Sequence, residues 1–252
     1  MAKSKLKSKK EPLILKIAKK RFKSVGTQKV HFTGDAKQDH LLNDIKNYPH
    51  LFVLACLMDR QIPAEKAWGI PYQVCSTLGT FNIKKLGKIP LHTFQKIFNT
   101  KKLHRFNNPM AEIFYLAIQD IVTKYHGNAA EIWSHNPSSA TVVCRFLEFQ
   151  GCGIKIATMA ANILARQFKI SFSDFYCIDI SPDTHIRRVM KRLGYITNPS
   201  DTDMIIYKAR EIYPIFPGII DFSCWEIGRE FCHPSNPNCK TCPVCAECKK
   251  NI

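Results

Sequence analysis

Five of the chain's 11 cysteines stand at or beyond Cys232 in a sequence of 252 residues, in the pattern Cys232-x6-Cys239-x2-Cys242-x5-Cys248 with Cys245 as an extra. A secreted disulfide scaffold would be shorter and would spread its cysteines more evenly, so crowding at one end points to a metal or cluster site. Four thiolates on short loops can hold either a [4Fe–4S] cluster or a tetrahedral zinc ion. Cys245 could also replace Cys248 through a Cys242-x2-Cys245 pair.

The remainder reads as helical. Met110, Ile113, Phe114, Ala117 and Ile121 recur at helix spacing and end before Gly127. A second stripe runs through Ala157, Ala160, Ala161, Leu164 and Phe168, and a third through Ile205, Ile206, Ala209, Ile212 and Tyr213. Joints are expected at Pro71, Pro109, Pro137, Pro182 and Pro217. No alternation persists long enough to build a sheet, which makes the class all-α. The length suffices for one sizeable core or two modest ones sharing a cleft. The longest apolar run, Leu51 to Met58, is too short to cross a bilayer. The basic N-terminus lacks the apolar stretch of a secretory signal, so an intracellular, cytoplasmic location is expected.

Formal net charge is +17 and the isoelectric point is near 9.5. An excess of this size attracts polyanions, with nucleic acid favoured over a membrane surface or a merely solubilising charge. Basic patches at Lys5-Leu6-Lys7-Ser8-Lys9-Lys10 and Lys19-Lys20-Arg21-Phe22-Lys23 flank Leu13, Ile14, Ile17 and Ala18, which suggest a short amphipathic helix. They could touch phosphates or form a solvated terminus.

Two internal segments carry chemistry. Phe149-Gln150-Gly151-Cys152-Gly153-Ile154-Lys155-Ile156-Ala157 places a Gly-x-Gly turn between helical patterns. Gly151 and Gly153 let backbone N–H groups approach a phosphate, and Lys155 falls in the first turn of the second helix. There the positive helix pole and partial burial would favour a neutral amine, although a phosphate contact is the plainer use of a lysine. Downstream, Ser181-Pro182-Asp183-Thr184-His185-Ile186-Arg187-Arg188-Val189 offers Ser181 or Asp183 as a helix cap, with Pro182 suited to the first turn. Capping alone would account for the aspartate.

Taken in order, these segments resemble endonuclease III-type helix-hairpin-helix DNA glycosylases. The hairpin is similar to that family's Leu-Pro-Gly-Val-Gly-x-Lys-x-Ala, with Phe149 and Gln150 as departures, and the second segment is similar to Val-Asp-Thr-His-x-x-Arg-Val. The 6-2-5 cysteine spacing resembles the family's cluster loop. The resemblance covers about residues 40–250 and implies two helical domains flanking a DNA-binding cleft. A basic segment, 1–39, would pack with a cluster domain, 169–252, beside a six-helix barrel over 40–168 that contains the hairpin.

It further implies a bifunctional glycosylase and abasic-site lyase. Lys155 is then the nucleophile, Asp183 its acidic partner, and Cys232, Cys239, Cys242 and Cys248 hold a [4Fe–4S] cluster that presents Lys240, Lys249 and Lys250 to DNA. Arg60 or Gln61 would fill the gap left by an extruded nucleotide. Phe106 lies near the family's wedge position, where core packing is the competing use, and His185 would contact the DNA backbone. Residues 169–182 are longer than the usual connection and supply Asp174 and Asp179 as fallback carboxylates. The expected partner is double-stranded DNA with a damaged or modified base, bound by a monomer with no membrane involved. Oxidised pyrimidines are the family's usual substrates; 8-oxoguanine, mismatched thymine or uracil and a modified base in foreign DNA are the others. The alternatives are a monofunctional glycosylase and a non-catalytic cluster-bearing DNA-binding protein.

Overall fold

A computed structural model describes residues 11–24 and 30–250, and those residues contain helices and no strand. The Lys5 to Lys10 patch lies outside them. In chain order the helices are α1 (Leu13–Ser24), α2 (Ala36–Asn43), α3 (Pro49–Met58), α4 (Ala64–Thr77), α5 (Ile83–Leu86), α6 (Leu91–Lys101), α7 (Asn107–Thr123), α8 (Ser139–Leu147), α9 (Ile154–Arg166), α10 (Thr184–Leu193), α11 (Thr202–Ile212) and α12 (Asp221–Glu230). Single 3₁₀ turns occupy Ala129–Ile132 and Pro217–Ile220. No described helix is long and apolar enough to cross a membrane.

The chain divides into one unit of Gly26–Ile178 and another of Met1–Val25 with Asp179–Ile252. The resemblance implied corresponding divisions at 39 and 168.

In the first unit α3 is the axis. All ten of its residues are buried, and it packs on α2, α4, α7, α9 and the Ala129–Ile132 turn. A helix apolar on every side has no solvent face to lose and belongs at the centre of a core. Pro49 starts it at a position where a missing N–H costs nothing. Phe52 is enclosed by Trp68, Trp133 and Phe168, at ring separations of 5.8, 5.9 and 5.5 Å. The stripe expected through Ala157, Ala160, Ala161 and Leu164 is fully buried on α9, and Phe168 closes the core just past that helix. The α7 stripe is likewise buried except at Ile113, and the Gly127 N–H reaches back to the Ile121 carbonyl at 2.9 Å with φ +81°. That closure is the left-handed end that glycine permits.

Pro71 is a correction: it lies inside α4 rather than at a joint. A proline there removes one ladder bond, but the buried neighbours Ala67, Trp68, Ile70, Val74 and Cys75 hold the helix through it.

In the second unit α10 packs on α12, and α1 packs on α12 and the Pro217–Ile220 turn. Ile14, Leu15 and Ala18 are the buried face of α1; Leu15, not Ile17, completes it. The α10–α12 contact is very close, because a Cβ on Gly228 would lie 2.6 Å from the His185 Cβ.

Candidate active site and cysteine cavity

The hairpin is built as its residues require. α8 is capped by Ser138 and ends at Leu147. The chain then turns, with the Cys152 N–H donating to the Phe149 carbonyl at 3.0 Å. Gly151 sits at φ +77°, and a Cβ there would meet Ile113 Cδ1 at 2.8 Å, so both backbone and space call for glycine. Gly153 opens α9 without any side-chain cap. The N–H groups of the first turn are therefore left for an anion. Phe149, one departure from the resembled motif, is buried against Tyr125 and Phe146, while Gln150 is exposed. The substitution fills core.

Lys155 is the second residue of α9. Its Nζ donates to Asp59 Oδ2 at 3.0 Å and lies 4.0 Å from Met159 Sδ. The pair is unequally covered, the lysine side chain 36% exposed and the aspartate 14%. Sequence reasoning expected helix polarity and burial to act on this amine, with Asp183 as its acidic partner, and did not single out Asp59.

Asp59 terminates α3, and the next residue turns back to the hairpin. Arg60 donates from its guanidinium to the Gly151 carbonyl. Gln61 is exposed and left-handed, at φ +52°. Buried His104 braces the segment: its Nδ1 accepts from the Phe106 N–H at 3.0 Å, which leaves the proton on Nε2. Burial lowers the ring's affinity for a second proton, and the Arg60 and Met58 backbone near it opposes that shift only in part. Phe106 is 39% exposed, which sets it outside the core, with the Arg105 guanidinium 5.4 Å from its ring.

Two thiols border this cluster. Burial pushes Cys56 well up from its ordinary value, with Asp59 adding to the shift, and burial pushes Cys152 up to about 12. Both stay protonated near neutrality and leave Lys155 without a competing nucleophile.

Asp183 belongs to the other unit. It caps α10, its Oδ1 accepting from the Ile186 N–H at 2.7 Å. Pro182 precedes the helix instead of entering its first turn, a correction that follows from Asp183 being the cap. The approach is pinned by Asp221, which takes the Ser181 N–H at 2.7 Å and the Ser181 hydroxyl, and by Arg187, which donates to the Pro182 carbonyl at 3.1 Å. His185 is half-buried against α12, its Nδ1 3.0 Å from the Arg188 guanidinium. Both fallback carboxylates have structural work. Asp174 receives the Ser139 N–H and hydroxyl at 2.9 and 2.7 Å, tying the long connection to the start of α8, and Asp179 holds Arg210 through two bonds.

In the same unit Cys232, Cys239, Cys242, Cys245 and Cys248 line one cavity with Arg192. Arg192 is 7% exposed and donates to the Cys232 sulfur at 3.3 Å and to the His233 and Pro234 carbonyls at 2.6 and 2.8 Å. Three successive turns close the loop, from Cys242 to Cys239, Cys245 to Cys242 and Cys248 to Cys245. No three side chains stand in ligating geometry among the described residues. A buried cation donating to sulfur, in a cavity collecting five thiols, nevertheless suits an anionic thiolate-held group.

No family model matches the sequence. Among solved structures, a trapped endonuclease III–DNA covalent intermediate aligns over 85% of this chain and 93% of its own, at 16% identity and a TM-score of 0.60. The chain has the endonuclease III fold. A thermostable thymine-DNA glycosylase aligns over 95% of this chain and 96% of its own, at 13% identity and a TM-score of 0.61. Two curated plant proteins are similar in sequence: DEMETER-like protein 2 of Arabidopsis thaliana, 23% identical over 172 residues, and Protein ROS1C of Oryza sativa subsp. japonica, 21% identical over 173. Those stretches cover 61% and 62% of this chain but only 12% and 9% of the plant proteins.

Proposed function

We propose that this chain is a helix-hairpin-helix DNA glycosylase that also cuts the abasic strand, with Lys155 as its nucleophile. The observation that carries the reading is the position of Lys155, two residues beyond a Gly-x-Gly hairpin on an endonuclease III fold. The uncapped start of α9 and the +17 charge support a phosphate backbone as the ligand.

The reacting nucleotide is extruded from duplex DNA at a cost of a few kcal/mol. Gln61 and Phe106 fill the gap, and His185 meets the backbone. The Lys155 amine attacks C1′, the base leaves with the bonding pair, and Asp183 stabilises positive charge on the sugar and assists proton transfer. The imine that remains permits β-elimination on the 3′ side. Cys232, Cys239, Cys242 and Cys248 would hold a [4Fe–4S] cluster beside Arg192, which when bound ties the C-terminal loops together and presents Lys240, Lys249 and Lys250 to DNA. On this reading the protein acts as an intracellular monomer on double-stranded DNA carrying a damaged or modified base.

Borohydride trapping on an abasic duplex tests the nucleophile. Wild type cross-links, and Lys155→Ala loses the product by at least about 10³-fold. Equal cross-linking by the two removes Lys155 from the role. The ion pair to Asp59 favours one alternative, a glycosylase whose lysine stays an ammonium and which releases base without nicking. A strand-nicking assay separates the two.

A further inference from the structure

The carboxylate that faces Lys155 comes from neither resembled segment. Asp59 lies at the end of α3, 96 residues earlier in the chain, and its Oδ2 is 3.0 Å from the lysine Nζ. Its neighbour Arg60 holds the Gly151 carbonyl, so one short segment grips the hairpin backbone and the hairpin lysine together. A nucleophilic amine must first shed a proton, and an acceptor within hydrogen-bond reach is the geometric requirement for that step.

We infer that Asp59 is the proton acceptor that activates Lys155. This rests on the reading of Lys155 as the nucleophile. An Nζ–H bond breaks and an Oδ2–H bond forms, which leaves a lone pair on Nζ. With a base still attached, that pair makes the N–C1′ bond as the C1′–base bond breaks. On an abasic site it adds to the C1′ aldehyde, and water leaves.

The surroundings keep the transfer between these two groups. Among the described residues, ionisable groups around the pair include Cys56 on α3, Cys152 in the hairpin, and Arg60 with His104 and Lys66 behind it. Both thiols are held protonated by burial, burial keeps His104 neutral, and Arg60 is a cation engaged with Gly151. The partial exposure of Lys155 lets the pair open toward substrate, and the deeper cover of Asp59 keeps the acceptor in place.

The test is the rate of borohydride trapping by the full chain on an abasic duplex, from mildly acidic to mildly alkaline pH. Asp59→Asn should slow trapping about 10²-fold at neutral pH. The deficit should shrink as pH rises, because hydroxide then removes the proton. Asp59→Glu should restore most of the rate and the wild-type profile. Affinity for the abasic duplex and the melting temperature serve as controls, and Asp59→Ser replaces Asn if that variant does not fold. Wild-type rates and profile in Asp59→Asn overturn the proposal, as does an equal slowing at every pH, which marks a purely positional role. If Lys155→Ala cross-links like wild type, or wild type does not cross-link, the nucleophile reading fails and this inference falls with it. If Lys155→Ala is dead and Asp59→Asn is normal, Asp59 alone is excluded.

Discussion

Asp59 and Asp183 occupy opposite poles of their helices, and their oxygens have different work. Asp183 opens α10, where a carboxylate is favoured by the helix dipole and accepts a backbone N–H, an arrangement worth about 1 kcal/mol to a fold. Asp59 closes α3, where the same dipole opposes an anion by roughly 0.3–1 kcal/mol. Its side-chain hydrogen bond among the described residues goes to Lys155. A carboxylate with a structural role can persist for stability alone. One placed against the dipole needs its cation to explain it.

The two roles of Asp183 can be pulled apart, and this carries the largest expected effect. Asparagine caps helices as well as aspartate does, so Asp183→Asn should change unfolding free energy by only a few tenths of a kcal/mol. Base release and nicking should nevertheless fall about 10²- to 10⁴-fold. Denaturant melts paired with single-turnover kinetics check this. Normal turnover in that variant would reduce Asp183 to a cap and leave Asp59 as the carboxylate of interest.

The next effect concerns the cavity in the same unit as Asp183. On the reading that a [4Fe–4S] cluster is held there, the wild-type chain contains iron, and serine at Cys232, Cys239, Cys242 or Cys248 should abolish that iron and its visible absorbance and lower the melting temperature. Cys245→Ser should leave iron content unchanged. Iron retained without Cys248 but lost without Cys245 would transfer the fourth ligand to the Cys242-x2-Cys245 pair.

The smallest effect is in the unit of Asp59. Gly151→Ala meets both a φ of +77° and Ile113, and should cost about 1–3 kcal/mol. Gly153→Ala has nothing within 4 Å of the new Cβ and a φ of −97°, so its unfolding free energy should stay near wild type. Urea unfolding of the two variants side by side measures the difference.

What could be read from the sequence follows from locality. The stripes of α7, α9 and α11 repeat within a few residues, the Asp183 cap acts three residues away, and the cysteines are neighbours along the chain. Each is a short-range pattern. α3 was legible only as an apolar run, because a helix buried on every side has no polar face to set a period. Pro71 read as a joint because the packing that carries α4 through it comes from other helices. The missed groups all act at a distance: Asp59 on Lys155 across 96 residues, Asp174 on Ser139 across 35, and Asp221 on Ser181 across 40.

Because α3 has no free face, its last turn cannot drift without disturbing five neighbouring elements at once. The carboxylate at its tip is thereby carried by a helix buried along its whole length. Truncations deep inside, such as Leu54→Val or Phe52→Leu at fully buried positions, should therefore lower the unfolding free energy by about 1 kcal/mol or more and, on the reading that Asp59 activates Lys155, slow the reaction as well.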